Sequence, residues 1–94
     1  MPNTPLTLEE KIEKRLEVLD WEIEDAKRDL AKAAEAMLRR ATEAVSQNEA
    51  LLADKPCSTM WVNFAEGDLR EARDAKAKLE ALIEKKKLLT FVRG

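Results

Sequence analysis

Apolar side chains recur every three or four positions through the first half of the chain, which is the spacing of one face of an α-helix. Their average step is about 3.6 residues, the period of a nearly straight helix. The sequence Thr7-x-x-Glu10 has the pattern of a capping box, and no proline or glycine follows it before Pro56. The pattern therefore predicts one long helix over about residues 7–53. The stripe consists of Leu8, Ile12, Leu16, Leu19, Ile23, Ala26, Leu30, Ala33, Met37, Ala41, Ala44, Asn48 and Leu51.

A second helical pattern follows a single turn. Residues 54–58 contain Pro56 and form the predicted turn, and Ser58 or Thr59 can cap the next helix. The second helix is predicted over about residues 59–89, and residues 90–94 either continue it or form a separate tail. Gly67 within this helix indicates a close backbone contact or a local bend. The apolar positions of the second pattern are Trp61, Phe64, Ala65, Leu69, Ala72, Ala75, Leu79, Leu82 and Ile83.

The distribution of charge favours an antiparallel arrangement of the two helices. Residues 1–25 hold eight acidic and three basic side chains, whereas residues 56–94 hold six acidic and eight basic ones. Folding the chain back on itself brings the acidic start toward the basic end. We therefore predict a single all-α domain over residues 1–94, an antiparallel, coiled-coil-like two-helix hairpin with a long first helix.

The position of the turn also predicts how the helices align. A turn centred near Cys57 places Asp68 beside Ser46 and Asn48, and Lys86 beside Asp25 and Asp29. We expect a polar layer and an ion pair there, which would fix the register of the hairpin. The alternative is that Asp68 and Lys86 extend past the apolar stripe into water.

The predicted second helix is about a third shorter than the first. Its end near Leu89 reaches back to about Asp25, so residues 8–24 lack a partner within the chain. Exposing a large apolar side chain instead of burying it costs roughly 1.5–3 kcal/mol. A second copy of the chain is the simplest cover, and the hairpin is expected to assemble into a homo-oligomeric helical bundle. The predicted interface consists of Leu8, Ile12, Leu16, Leu19 and Ile23.

One aromatic residue lies on the opposite side of the first helix from the apolar stripe. Trp21 has Val18 one turn away and stands among acidic residues that include Asp25. Aromatic side chains are enriched where binding energy is concentrated, so these three residues are the predicted site for a protein partner. The alternative is that this segment is buried on both sides within a homo-oligomer.

The residue types that support most enzyme chemistry are missing. The chain has no histidine and no tyrosine, and Cys57 is its only cysteine. The sequences Glu9-Glu10-x-x-Glu13 and Glu22-x-x-Asp25 resemble the EExxE and ExxD magnesium motifs of the all-α nucleotide pyrophosphatases. Both lie on one predicted helix, about 13–18 Å apart along its axis, whereas that family's carboxylates converge from different helices. We expect a protein that is not an enzyme and needs no cofactor or metal.

Basic residues near the end of the chain provide a second candidate site. A homo-oligomer could use them to enclose an anionic ligand such as a nucleotide. The net charge of −2 and the lack of a long basic stripe argue against nucleic acid as the partner. The candidate contacts are Lys85, Lys86, Lys87, Phe91 and Arg93.

These patterns favour an interaction protein, an oligomeric hairpin that binds and occupies a macromolecular partner as a small inhibitor, adaptor or assembly factor does. The alternatives are an oligomer that sequesters an anionic small molecule and, third, the magnesium-dependent pyrophosphatase. Residues 1–8 do not have the pattern of an export signal, and the lone cysteine is typical of a reducing compartment. No stretch is apolar enough to predict a membrane span. We therefore expect a cytoplasmic protein with no membrane contact.

Overall fold

Helix α1 spans Leu8–Leu52 and helix α2 spans Trp61–Arg93. The computed structural model describes residues 5–94, and this part of the chain contains two helices and no strand. The molecule measures 76 × 29 × 15 Å, as expected for two long helices lying side by side. Over residues 5–94, neither helix has an apolar stretch long enough to cross a membrane. The structure confirms the predicted all-α two-helix hairpin.

The start and end of α1 follow from local hydrogen bonds. The Thr7 hydroxyl accepts a hydrogen bond from the Glu10 amide at 3.1 Å, as the capping box predicts. The Glu10 carboxylate accepts from the same hydroxyl at 3.1 Å rather than from the Thr7 amide. At the other end, Asp54 adopts a left-handed conformation with φ 55°. The amide of Lys55 then donates to the carbonyl of Ala50 at 2.9 Å, which ends the helix in a Schellman motif.

The connection between the helices runs back along α1 before α2 begins. Its Ser58 amide donates to the Gln47 side chain at 2.7 Å, and the Ser58 hydroxyl accepts from the Met60 amide at 3.1 Å. As a result α2 begins beside α1 rather than beyond its end, and Trp61 shares a cleft with Ala44. The predicted five-residue turn is too short, because it omits this return path.

The longer connection shifts the register of the hairpin. The residue numbers of the ion pairs that join the helices add up to between 106 and 108, whereas the predicted turn implies about 114. Each residue of α2 therefore lies beside a position on α1 that is nearer the N-terminus than predicted. The three pairs are Arg40–Asp68, Lys86–Asp20 and Arg93–Glu13.

The predicted polar contacts are wrong in their partners. Asp68 binds Arg40 at 3.0 Å, and Asn48 is exposed. Lys86 pairs with Asp20 rather than with Asp25, whose carboxylate accepts from Arg28. Polar residues still connect the helices. Their partners all differ from the predicted ones for the same reason, which is the shift in register.

The predicted overhang at the start of α1 is also wrong. Helix α2 continues through Arg93, so residues 90–93 are helical rather than a separate tail, and α2 reaches Glu13. Four of the five residues assigned to an oligomer interface are thereby buried within the chain, and the fifth, Leu8, remains 72% exposed. Burial by α2 removes the reason for placing a second copy here. The four buried residues are Ile12, Leu16, Leu19 and Ile23.

The best-packed part of the hairpin lies in this same region. Leu19, Ile23 and Ala26 of α1 form a buried cluster with Leu82 of α2. Three partly buried side chains of α2 pack against the cluster: Leu79, Ile83 and Leu89. The core therefore lies near the open end of the hairpin, and it packs against the inner side of α1.

Gly67 makes no close packing contact. A Cβ atom built on it would meet nothing within 4 Å, so the close backbone contact expected from its position in α2 is absent. Helix α2 passes through this residue without interruption. Gly67 therefore lowers helix propensity without a packing benefit in the described part of the chain.

Candidate binding surfaces

The outer side of α1 near the open end presents an exposed tryptophan. Trp21 is 77% exposed and Val18, one turn earlier, is 46% exposed. The indole lies over a shallow depression of about 310 Å³. Val18, Trp21 and Asp25, the predicted partner-binding residues, thus all lie exposed on one short stretch of α1. We call this surface the Trp21 face, formed by Val18, Asp20, Trp21, Glu24, Asp25 and Arg28.

The position of Trp21 follows from the core beneath it. Leu19 and Ile23 point toward α2, and each is two residues from Trp21. Since successive residues rotate by about 100° around a helix, Trp21 points away from both of them. The core therefore fixes the helix on one side and leaves the indole uncovered on the other.

The Trp21 face is acidic, with Asp20, Glu24 and Asp25 against the single basic residue Arg28. Residues 17–25 contain five acidic side chains and no basic one. Four of these carboxylates are paired: Asp20 with Lys86, Glu22 with Arg15 at 3.3 Å, Glu24 with Lys27 at 3.1 Å and Asp25 with Arg28 at 3.0 Å. The Glu24 and Asp25 pairs are more than half exposed, so water screens them and each contributes only about 0–1 kcal/mol. A cationic partner can therefore replace them at little cost.

The predicted anionic-ligand residues are only partly brought together. Lys86, Lys87 and Phe91 line one groove of about 610 Å³ between the helices. Lys85 is not part of its lining, and Arg93 is held by Glu13 at 2.9 Å. We call this surface the basic groove, lined by Ile23, Lys27, Ile83, Lys86, Lys87, Thr90 and Phe91.

One lysine of this groove, Lys27, was not predicted from the sequence. Lys27 belongs to α1 and joins the lysines of α2 only in the observed register. One of these lysines, Lys86, also pairs with Asp20, which ties the groove to the acidic segment of α1. The signal that could have found Lys27 is its position four residues after Ile23, on the edge of the apolar stripe.

A polar cluster also lies in the seam between the helices near the turn. Arg40 donates to Asp68 at 3.0 Å and to Glu43 at 2.6 Å, and its guanidinium lies 4.8 Å from the centre of the Phe64 ring. The hydrogen bond to Asp68 raises the pKa of Arg40 above its already high usual value. Arg40 thus remains charged and connects the two helices, which is a structural role.

The acidic motifs do not converge on a metal site. Both belong to α1, which runs unbroken from Leu8 to Leu52. Glu13 is engaged by Arg93 and Glu22 by Arg15 at 3.3 Å. In residues 5–94, no group of three or more His, Cys, Asp or Glu side chains is placed to hold a metal ion. Cys57 is a free, exposed thiol in the connection.

The fold and these surfaces define an extended helical hairpin with an acidic aromatic face and a basic groove near its open end. No family model matches the chain, and the comparisons with curated proteins and with solved structures find no similar protein.

Proposed function

We propose that the chain is a binding protein without catalytic chemistry of its own, which occupies a segment of another macromolecule through the Trp21 face. The observation that supports this function is the 77% exposure of Trp21 on a helix whose opposite side is packed in the core. Tryptophan is enriched among the residues that dominate binding energy. A rigid anchor also avoids part of the ordering cost of association.

The chemistry of the Trp21 face indicates a basic partner segment. A lysine or arginine can lie over the indole while its charge meets the carboxylates of Asp20 and Glu24. Val18 adds apolar area for the stem of the same side chain or for a neighbouring residue. Such a contact blocks the partner's segment, which is how a small inhibitor, adaptor or assembly factor works.

The test compares two variants that each remove an exposed aromatic side chain. Trp21→Ala acts on the Trp21 face, whereas Phe91→Ala acts on the basic groove, where Phe91 is 85% exposed. A photoreactive residue in place of Val18 captures the partner in native extract and identifies it, and binding is then measured with the purified partner. We expect Trp21→Ala to weaken binding at least about 30-fold, and Phe91→Ala to leave it unchanged. Equal binding by wild type and Trp21→Ala would contradict the proposal.

A second function, the binding of an anionic small molecule such as a nucleotide, is favoured by one observation. Lysines of both helices converge in the basic groove beside Phe91 and the apolar side chains of Ile23 and Ile83. Ammonium groups can contact phosphates while the phenyl ring stacks against a base. The groove adjoins the Trp21 face through the Lys86–Asp20 and Lys27–Glu24 ion pairs. Trp21 and Phe91 each belong to only one of the two surfaces, so substitutions of these residues test the two functions separately.

Thermal unfolding with ATP and with adenosine tests this second function. A ligand at a hundred times its dissociation constant stabilises the folded chain by about 2.7 kcal/mol and raises its Tm. We expect ATP but not adenosine to raise the Tm, and we expect Lys87→Glu to abolish the rise. Trp21→Ala is the control and should retain it. An unchanged Tm at millimolar ATP would refute nucleotide binding.

A further inference from the structure

Large apolar side chains repeat on α1 near the turn, on a side that α2 leaves uncovered. Leu38, Val45 and Leu52 follow at intervals of seven residues, and their exposures lie between 59% and 78%. Since seven residues make about two helical turns, the three side chains lie on one face. Ala34 and Ala41 lie near them and are also exposed, which leaves room for another helix to approach closely.

Two residues of α2 extend this face across the seam between the helices. Val62 and Leu69 are also seven residues apart, and they are 42% and 40% exposed. The opposite edge of the seam is marked by Arg40, whose guanidinium stacks on Phe64. At about 100° per residue, Leu38 and Val45 on α1, and Val62 and Leu69 on α2, lie around their helix axes on the side away from this edge. The two repeats therefore share the other edge. We call this surface the turn-end face, formed by Leu38, Val45, Leu52, Val62 and Leu69.

We infer that the turn-end face is covered by a second copy of this chain, in a two-fold dimer whose four helices pack together. The monomer exposes 7680 Å². A compact protein of 10.7 kDa exposes about 5,500 Å², so the hairpin has about 2,200 Å² of excess surface. A standard interface buries about 800 Å² on each partner, which this excess readily supplies.

The pattern of the turn-end face fits a copy of itself. A two-fold axis brings the same patch of two chains together, so the patch must be complementary to itself. An apolar repeat at intervals of seven meets this condition, because it can interdigitate with an identical repeat. The surrounding charge also permits the contact, since residues 34–52 contain three acidic and two basic side chains.

This dimer differs from the oligomer expected at the open end of the hairpin, where α2 already covers α1. It also involves none of the residues of the Trp21 face or of the basic groove. The dimer and both proposed functions can therefore fail or succeed independently.

Sedimentation equilibrium from micromolar to millimolar protein tests the dimer with three single substitutions. Val45→Glu and Leu38→Glu place a charge in the turn-end face. Leu88→Glu makes the same change at a side chain that is 58% exposed near the open end of α2. We expect a two-chain mass for the wild type and for Leu88→Glu. We expect both turn-end substitutions to raise the dissociation constant at least about a hundredfold, with unchanged helical circular dichroism.

Three results would overturn the inference. The first is a wild-type chain that remains monomeric up to millimolar concentration. The second is a dimer that both turn-end substitutions leave intact, and the third is a dimer that Leu88→Glu disrupts as strongly as they do. If Val45→Glu reduces helical content, Leu38→Glu alone decides, because its native side chain is 70% exposed and contributes little to the fold of the monomer.

Discussion

Replacing Leu19 by alanine should destabilise the hairpin more than any other single truncation of its α1 stripe. Leu19 is fully buried and packs in the cluster with Ile23, Ala26 and Leu82. Truncation of a buried leucine costs about 2–5 kcal/mol, from lost transfer energy and from the cavity that remains. A contact between only two helices can relax around the cavity, so we expect about 2–3 kcal/mol, in the lower part of that range.

Urea unfolding followed by circular dichroism at 222 nm measures this loss. We expect a lower midpoint for Leu19→Ala with an unchanged slope, because the fold and the area exposed on unfolding are retained. The matched control is Val18→Ala, one residue earlier, where the native side chain is 46% exposed. Its free energy of unfolding should change by no more than about 0.5 kcal/mol.

A double-mutant cycle with Leu82→Ala tests whether α2 is what buries Leu19. Residues that share one packed cluster show coupling energies of about 0.5–3 kcal/mol, whereas residues far apart are additive. Measured in the Val45→Glu background, the coupling should not depend on protein concentration. If the losses in free energy of unfolding from Leu19→Ala and Leu82→Ala were additive, α2 would not be what buries Leu19, and the observed register would be refuted. The same conclusion would follow if the loss grew on dilution, because Leu19 would then be buried by another chain.

Three further substitutions probe separate parts of the hairpin. Gly67→Ala should raise the free energy of unfolding by about 0.5–1 kcal/mol, because a Cβ there meets nothing within 4 Å; an unchanged or lower Tm would contradict this. Thr7→Ala should lower it by about 1 kcal/mol through loss of the helix cap, seen as faster amide exchange in the first turn of α1. Lys86→Glu should lower the free energy of unfolding by less than about 1 kcal/mol, and added salt should reduce this loss. Adding Asp20→Lys should restore the stability, and failure to do so would argue against the Lys86–Asp20 pair.

The helices themselves could be predicted from the sequence because their signals are local. The Thr7 cap and the uninterrupted apolar repeat place the start of α1 within one residue of its observed position at Leu8. The exposure of Trp21 follows in the same way, since its angle on the helix relative to Leu19 is fixed by the helical period. Features that depend on one helix alone are therefore accessible from periodicity.

The register could not be predicted in this way, because it depends on a contact between distant residues. The hydrogen bond from the Ser58 amide to Gln47 folds the connection back along α1, and no local pattern in residues 53–60 indicates this path. The resulting shift in register changed every contact between the helices. It also placed α2 over Ile12, Leu16, Leu19 and Ile23, which were predicted to form an oligomer interface. It also brought Lys27 into the basic groove, which two separate helical patterns cannot show.

The turn-end face and the Trp21 face lie far apart along α1. Val45 follows Trp21 by 24 positions on one continuous helix, which corresponds to about 36 Å. A dimer joined through the turn-end face by chains that run in opposite directions leaves both Trp21 faces free and presents two of them on one particle. Against a partner immobilised at high density, the wild type should dissociate at least about tenfold more slowly than Val45→Glu, because two contacts must open together. Against the same partner free in solution at low concentration, the two proteins should bind each Trp21 face equally. A difference that persists in solution would show that Val45 affects the Trp21 face directly rather than through the number of copies.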